Sequence, residues 1–357
     1  MGCNVMRTWT ERNRRALGRG AGIAATLVMT LGVGAVPAQG EPSVVTSIKP
    51  VHSLVARVMG NVGTPRLLVD GAQSPHTYDL APSEAYALER ADLVVWVGPA
   101  LESFLTRPVR SLAGNAAVLR LQGADGVRVL ANRTSGAWQT GAHDHGHDDN
   151  QGHDDNQGHD DNHGHDDDDG NAHADAGHAD AIPADRVDPH IWLDPSNARA
   201  MVSAIAERLA TVDPANAATY RANAREARNA IADMADRIDA DLAPVRDTPF
   251  VVFHDAYQYF ERAFGLNAVG AISLNPQRQP GAKRLQAIRE RIGELDARCV
   301  FREPQFAPDL VRTVLDGTSA REGVLDPLGA DLPAGADAYA AVMTRLADSL
   351  TDCLGRD

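Results

Sequence analysis

Apolar and polar positions alternate in blocks along the chain after Gln39, and these blocks predict strands and helices in turn. Three short apolar runs in the first half are typical of buried strands: SVVTSIKP, TPRLLVD and DLVVWVG. Amphipathic segments around them predict helices: VHSLVARVMG, APSEAYALERA and LESFLTRPVRSLAG, the last with a break expected at Pro108. Because buried strands separated by helices indicate a parallel sheet, this half predicts an α/β lobe.

The second half repeats the same alternation. Its predicted strands are PFVVFHDAY, CVFREPQF and GVLDPLG. Its predicted helices are GAKRLQAIRERIGELD, APDLVRTVLDG and AYAAVMTRLADSLTDCL. A second α/β lobe is therefore expected over residues 246–357, after a first lobe over residues 39–212.

Helical sequence also separates the two halves. One helix is predicted from about Pro195, and a longer run over residues 213–245 is rich in Ala, with charges spaced for contacts between successive turns. A helix of about thirty residues spans roughly 45 Å, which is enough to run along both lobes. The predicted fold class is α/β, with two lobes of parallel-rich sheets joined by one long helix.

The first 38 residues have the composition of a signal peptide. Five arginines precede an apolar stretch of small residues that ends in Val36-Pro37-Ala38, an acceptable cleavage site. A membrane anchor is the alternative, which the short, Gly-containing apolar run disfavours. Cleavage near Ala38 predicts an exported protein.

Export also bears on the cysteines. Cys3 would leave with the signal peptide, so that Cys299 and Cys353 remain. An even pair in an oxidising compartment predicts one disulfide, and two buried free thiols are the alternative.

The formal net charge of −14 comes from one part of the chain. Residues 142–180 contain 13 Asp and no Lys, Arg or Glu, so the rest of the chain is close to −1. Nothing in that remainder indicates nucleic-acid binding. The same part repeats the phrase Gly-His-Asp-Asp-Asn-Gln four times, with decay at the end, and holds nine of the 13 His. Without large apolar residues, residues 141–181 are predicted to form a disordered His/Asp-rich loop within the first lobe.

Three histidines outside this loop share one setting. His76 and His190 each lie in a loop just before a predicted helix, and His254 ends a predicted strand. Ligands of parallel α/β sheets bind beyond the carboxyl ends of the strands, so these side chains could converge on a metal such as Zn²⁺. The alternative for each is an ordinary surface His, and His52, at a helix start, is assigned a structural role.

Several longer stretches carry a resemblance to a known family: PHTYDLAPSEAYALERADLVVWVGPALESFL, DPHIWLDPSNA, VFHDAYQYF, FREPQF and LDPLG. Together with the two late cysteines, they resemble the zinc-specific solute-binding proteins of bacterial ABC importers, the ZnuA type, over nearly the whole mature chain. The resemblance implies two α/β lobes joined by a rigid helix, with zinc in the cleft between them. It also implies a His/Asp-rich loop in the first lobe, where this chain has its repeat.

By matching motif, the resemblance implies His76, His190 and His254 as the zinc ligands. Manganese-binding relatives usually have Glu in place of His254, and three imidazoles suit zinc better than the harder Mn²⁺. Some zinc members have a Glu ligand where this chain has Pro75. Asp326 lies where relatives supply a carboxylate, so either Asp326 or water is expected to complete the site.

Three further acidic residues are candidates for supporting roles. Glu303 is expected either near the metal or in a buried pair. Asp194 and Asp255 either orient ligand imidazoles or cap helices.

The expected function is zinc capture in the periplasm, followed by delivery to an inner-membrane ABC permease, by a monomer without enzymatic activity. A manganese or iron carrier of the same family is one alternative. A secreted zinc hydrolase is another, since three His and an open position also describe catalytic zinc, although no H-E-x-x-H motif is present. The loop is expected to be a weaker accessory metal-binding segment that feeds the cleft. Solvated filler and a sensor of plentiful zinc are its alternatives, and a separate periplasmic zinc chaperone is a further candidate partner.

Overall fold

The computed structural model describes residues 40–134, 182, 186–274, 276 and 280–356. The predicted signal peptide with its cleavage site at Ala38, and the His/Asp-rich loop predicted over residues 141–181, lie outside the described residues. Within the described residues, no helix is both long and apolar enough to cross a membrane.

The first lobe is built around a four-stranded parallel sheet. Its elements in chain order are β1 (Val44–Ile48), α1 (Lys49–Met59), β2 (Arg66–Val69), α2 (Pro82–Glu89), β3 (Leu93–Trp96), α3 (Thr106–Ser111) and β4 (Ala117–Arg120). The strand order is β2-β1-β3-β4, and neighbouring strands are parallel. The central strands β1 and β3 are buried along their whole length, as expected where helices cover both faces of a sheet.

A small two-stranded sheet and two helices connect the lobes. They are β5 (Leu130–Ala131), β6 (Val187–Asp188), α4 (Pro195–Val212) and α5 (Ala217–Leu242). Strands β5 and β6 are antiparallel, with Leu130 opposite Asp188. Helix α5 has 26 residues, and short 3₁₀ turns flank it where Pro214 and Pro244 end the α-helical run predicted over residues 213–245.

The second lobe repeats the topology of the first. Its elements are β7 (Phe250–His254), α6 (Gln258–Phe264), β8 (Ala268–Ser273), α7 (Ala282–Glu294), β9 (Cys299–Arg302), α8 (Asp309–Leu315), β10 (Arg321–Val324) and α9 (Ala338–Leu354). Strand order is β10-β9-β7-β8, again parallel. If the four strands of each sheet are numbered 1 to 4 in chain order, both sheets have the spatial order 2-1-3-4.

Helix α5 packs against both lobes through one apolar stripe. The stripe contacts α1 of the first lobe and α9 of the second. Its buried residues recur every three or four positions: Tyr220, Ala224, Ala227, Ile231, Met234, Ile238 and Leu242. The predicted fold class, two α/β lobes joined by a long helix, is confirmed.

Local differences from the sequence predictions have simple causes. The break predicted at Pro108 is wrong, because α3 begins at Thr106 and Pro108 therefore lies in its first turn, where no backbone N–H is needed. The LDPLG stretch is a loop rather than a strand, since β10 ends at Val324. The predicted disulfide between Cys299 and Cys353 is confirmed and joins the start of β9 to the end of α9.

Candidate metal centre

Three imidazoles converge in the cleft between the lobes. His76 lies in the loop between β2 and α2, His190 lies just after β6, and His254 is the last residue of β7. Their ligand-capable nitrogens all lie within 4.8 Å of one another, and this is the metal-competent group of His, Cys, Asp and Glu found among the described residues. The sequence therefore identified three side chains that the fold does bring together.

The spacing of the ring nitrogens fits a tetrahedral zinc ion. The Nε2 atom of His190 lies 3.3 Å from Nε2 of His76 and 3.2 Å from Nε2 of His254. With Zn–N bonds of 2.0–2.1 Å, two nitrogens of a tetrahedral site are about 3.3–3.4 Å apart. The Nε2 atom of His190 is thus separated from those of His76 and His254 by about the edge of such a tetrahedron.

Buried carboxylates hold two of the rings from behind. His190 Nδ1 lies 2.8 Å from Asp188 Oδ1, and His254 Nδ1 lies 2.7 Å from Glu303 Oε1. In its ionised form a carboxylate only accepts hydrogen bonds, so each Nδ1 then carries the proton and each Nε2 presents a lone pair. Two lone pairs facing each other at 3.2 Å repel, and a cation between them removes that repulsion. The arrangement is therefore suited to binding a metal ion.

The fold explains why these partners meet. Strands β7 and β9 are parallel neighbours, so His254 at the end of β7 lies beside Glu303, which directly follows β9. At the end of β6, the carboxylate of Asp188 also accepts the backbone N–H of His190 at 3.0 Å, which fixes the turn between them. Sequence reasoning missed Asp188, although its spacing of two residues from His190 is the signal of such a side-chain turn.

Burial and charge set the protonation of the three imidazoles differently. Burial, together with the neighbouring imidazoles, holds the pKa of His76 and His190 well below the usual value. Burial alone would also lower the pKa of His254, but the charge and hydrogen bond of Glu303, aided by Asp255 and Asp188, raise it. Burial raises the pKa of the Asp188 carboxyl to about 7. His254 is consequently the first imidazole of the group to gain a proton as pH falls.

Apolar side chains from both lobes surround the imidazoles. The ring of His190 packs 5.3 Å from that of Trp192, and the ring of His254 packs 5.5 Å from that of Phe306, measured between centroids. Leu101 and Leu328 complete the wall. Low local polarity strengthens the attraction between a cation and its ligands.

Asp326 does not join the three histidines. Its Oδ1 accepts hydrogen bonds from the backbone N–H of Leu328 (3.1 Å) and Gly329 (3.0 Å) and from Gln305 Nε2 (2.7 Å), while its Oδ2 accepts the N–H of Ala330. The expected ligand contact is therefore not supported by this arrangement, because the carboxylate is occupied in shaping the loop after β10.

The other candidate residues, Asp194, Asp255 and His52, have partners other than the three imidazoles. Asp194 caps α4 by accepting the N–H of Ser196, so its capping role is the one observed. Asp255 pairs with Arg133 rather than with an imidazole, and His52 Nε2 lies 3.0 Å from the carbonyl of Pro65, away from the metal group.

Two α/β lobes with a three-histidine centre in the cleft define a metal-binding solute-binding protein. The family model described as zinc-uptake complex component A, periplasmic, matches residues 44–353, and the chain belongs to this ZnuA family. It is 49% identical to the high-affinity zinc uptake system protein ZnuA of Brucella suis over 313 residues, which are 88% of this chain and 92% of that one. It is 42% identical to the protein of the same name from Paracoccus denitrificans, covering 93% and 98% of the two chains.

A solved structure supports the fold. The periplasmic zinc-binding protein TroA from Treponema pallidum superposes with a TM-score of 0.68 at 18% identity, over 89% of this chain and all of that one.

Proposed function

We propose that the protein captures zinc in the periplasm through His76, His190 and His254 and delivers it to an ABC permease in the inner membrane. The observation that carries this proposal is the convergence of three imidazoles, in which Nε2 of His190 lies at tetrahedral-edge distance from Nε2 of both His76 and His254 and two of the rings are held by carboxylates. Membership of the zinc-uptake family and the names of the similar proteins support the same function. Water takes the fourth position, since Asp326 is occupied elsewhere.

Zinc is favoured over manganese and iron by the chemistry of the donors. Three imidazole nitrogens among apolar side chains suit a borderline-soft ion, whereas Mn²⁺ favours oxygen ligands. Competition between Zn²⁺ and Mn²⁺ for one equivalent of protein tests this choice. Preference for Mn²⁺ would support the alternative, a manganese carrier of the same family.

We also propose roles for the parts outside the described residues and for the partners. The leader ending near Ala38 directs export, and the His/Asp-rich loop binds additional zinc more weakly and passes it to the cleft. A periplasmic zinc chaperone is a candidate partner, and the protein acts as a monomer. We propose that the protein has no enzymatic activity. Hydrolysis of esters or peptides by the wild-type protein, if it were lost in His254→Ala, would contradict this.

The zinc site is tested in a chain lacking residues 141–181, so that weak sites do not mask the tight one. Titration of metal-free protein in a calorimeter should show one tight zinc, which the triple variant His76→Ala, His190→Ala, His254→Ala should lack. His52→Gln is the matched control, since His52 is another buried imidazole of the first lobe but contacts Pro65 instead. Tight binding retained in the triple variant would refute the assignment.

A further inference from the structure

One wall of the metal pocket is a segment of the second lobe, residues 326–332, which begins two residues after the end of β10. Its Pro327 and Leu328 line the pocket beside the histidines. From within the second lobe, Asp326 accepts the backbone N–H groups at the start of this segment. These hydrogen bonds fix the internal shape of the segment, but they lie within the second lobe and do not attach the segment to the first.

A buried lysine of the first lobe reaches the carbonyl groups of this segment. Lys49 directly follows β1, and its side chain is only 3% exposed. Its Nζ donates to the carbonyl oxygens of Gly329 and Leu332, each at 2.7 Å, and lies 3.3 Å from that of Ala330. These hydrogen bonds cross from one lobe to the other.

The same ammonium group also contacts the loop that carries His76. Its Nζ lies 3.0 Å from Oδ1 of Asp70, which directly follows β2 and begins that loop. Lys49 thus joins the loop of one zinc ligand to the wall of the pocket from the opposite lobe.

The partners across the cleft are neutral, which gives the connection a particular chemistry. A charge-assisted hydrogen bond to a carbonyl is strong in a water-poor interface. When the lobes separate, water can replace the carbonyl oxygens, and the ammonium keeps its partner Asp70 in the first lobe. The connection can therefore be broken and remade without leaving an unpaired buried charge.

We infer that Lys49 is a positioning residue for zinc retention: by holding residues 326–332 against the first lobe, it slows the departure of the bound ion. This inference rests on the proposed zinc-binding function. It predicts that loss of Lys49 speeds zinc dissociation while the three-histidine ligand set stays unchanged.

The test compares Lys49→Met with the wild-type chain by following zinc transfer to an excess of a coloured chelator. Hydrogen bonds to a charged group contribute enough that dissociation should become about tenfold to a hundredfold faster. The association rate and the visible spectrum of the Co²⁺-loaded protein should stay the same, because neither depends on the closed wall. A merely structural defect would change these two readouts as well.

Arg57→Met is the matched control. Arg57 is another cation of α1, and it pairs across the lobes with Asp337 at 3.0 Å, but the two side chains are 37% and 92% exposed. Its loss should leave zinc dissociation within about twofold of wild type, because exposed ion pairs contribute little.

The outcomes distinguish the inference from the function beneath it. If wild-type protein binds no zinc, the proposed function fails. If wild type binds zinc and a folded Lys49→Met releases it at the wild-type rate, or if Arg57→Met has the same effect as Lys49→Met, the inference is overturned. Should Lys49→Met not fold, Lys49→Gln, which keeps a polar donor in the buried position, is measured against the same criterion.

Discussion

Two cations, the buried Lys49 and the partly buried Arg133, join the lobes across the cleft, and they differ in the groups that they contact. Lys49 reaches neutral carbonyl oxygens of the second lobe. Arg133, two residues after β5, contacts two carboxylates there: Asp255 at 2.6 Å and Glu261 at 2.8 Å, which are 6% and 9% exposed. The first connection can exchange its acceptors for water, whereas breaking the second would leave two negative charges buried without a partner.

The difference assigns different roles to the two sides of the cleft. On the Arg133 side, Tyr259 Oη accepts the N–H of Leu130 and donates to the carbonyl of Asp188, so the β5–β6 sheet is fastened to α6. Asp188 in turn holds His190, and Asp255 directly follows His254. His190 and His254 therefore lie on the side that we expect to stay closed, while the loop of His76 lies on the side of Lys49.

The largest effect should come from breaking the Arg133 side. Arg133→Met leaves Asp255 and Glu261 buried without their cation, and we expect the free energy of unfolding in urea to fall by about 3–5 kcal/mol. Arg221→Met is the control, because Arg221 and Glu207 are 50% and 62% exposed, and an ion pair on the surface should contribute little to stability. Equal losses in the two variants would remove the distinction between the Arg133 side, which we call the fixed side, and the Lys49 side, which we call the opening side.

The carboxylate behind His190 tests whether the fixed side also sets zinc affinity. Asp188→Asn removes the charge that orients the ring, and zinc affinity should fall about tenfold to a hundredfold in a chelator competition. Asp194→Asn is the matched control, since Asp194 is as buried but caps α4. A comparable loss of affinity in Asp194→Asn would show that the effect reflects damage to the fold rather than to the ligand.

The pH dependence of zinc binding should also originate on the fixed side. The pKa of His254 is raised, whereas those of His76 and His190 are lowered, so one proton competes with zinc first as the pH falls. Zinc affinity should then be constant above the pKa of His254 and decrease about tenfold per pH unit below it. Competition assays from about pH 8 to about pH 5 measure this slope.

Glu303→Gln provides the control for that pH profile. The neutral amide no longer raises the pKa of His254, so the decrease should begin at a lower pH, although the affinity itself is weaker. An unchanged onset would mean that another group sets the profile.

Features that depend on neighbouring residues in the sequence could be predicted better than features that depend on contacts between distant residues. The buried runs of β1, β3 and β7 carried a strong local signal, whereas the short helix α6 and the strands β4 and β8 were missed. His76 and His254 could be predicted from their positions beyond the carboxyl ends of β2 and β7, which belong to two separate parallel sheets, whereas His190 follows the antiparallel strand β6 and was indicated by the resemblance of its motif.

The cross-cleft contacts could not be predicted in this way. Lys49 donates hydrogen bonds to carbonyl groups about 280 positions away along the chain. A lysine that follows a strand is usually exposed to solvent, so its sequence context did not indicate this contact. The role of Asp326 depended on the backbone of its own loop, since the same carboxylate could bind a metal or cap three N–H groups.

The smallest effect should come from breaking a second attachment of residues 326–332 to the first lobe. This attachment also bears on how the Lys49 side of the cleft opens. Trp192 Nε1 donates to the carbonyl oxygen of Pro327 at 2.9 Å. Trp192→Phe keeps an aromatic ring beside His190 but removes this neutral hydrogen bond, so zinc dissociation should become about twofold to tenfold faster. Because the bond of Lys49 is charge-assisted and that of Trp192 is not, Lys49→Met should have the larger effect in the same chelator assay. A larger effect from Trp192→Phe would mean that the segment is held mainly at Pro327, and that the opening side of the cleft depends on Trp192 rather than on the buried ammonium.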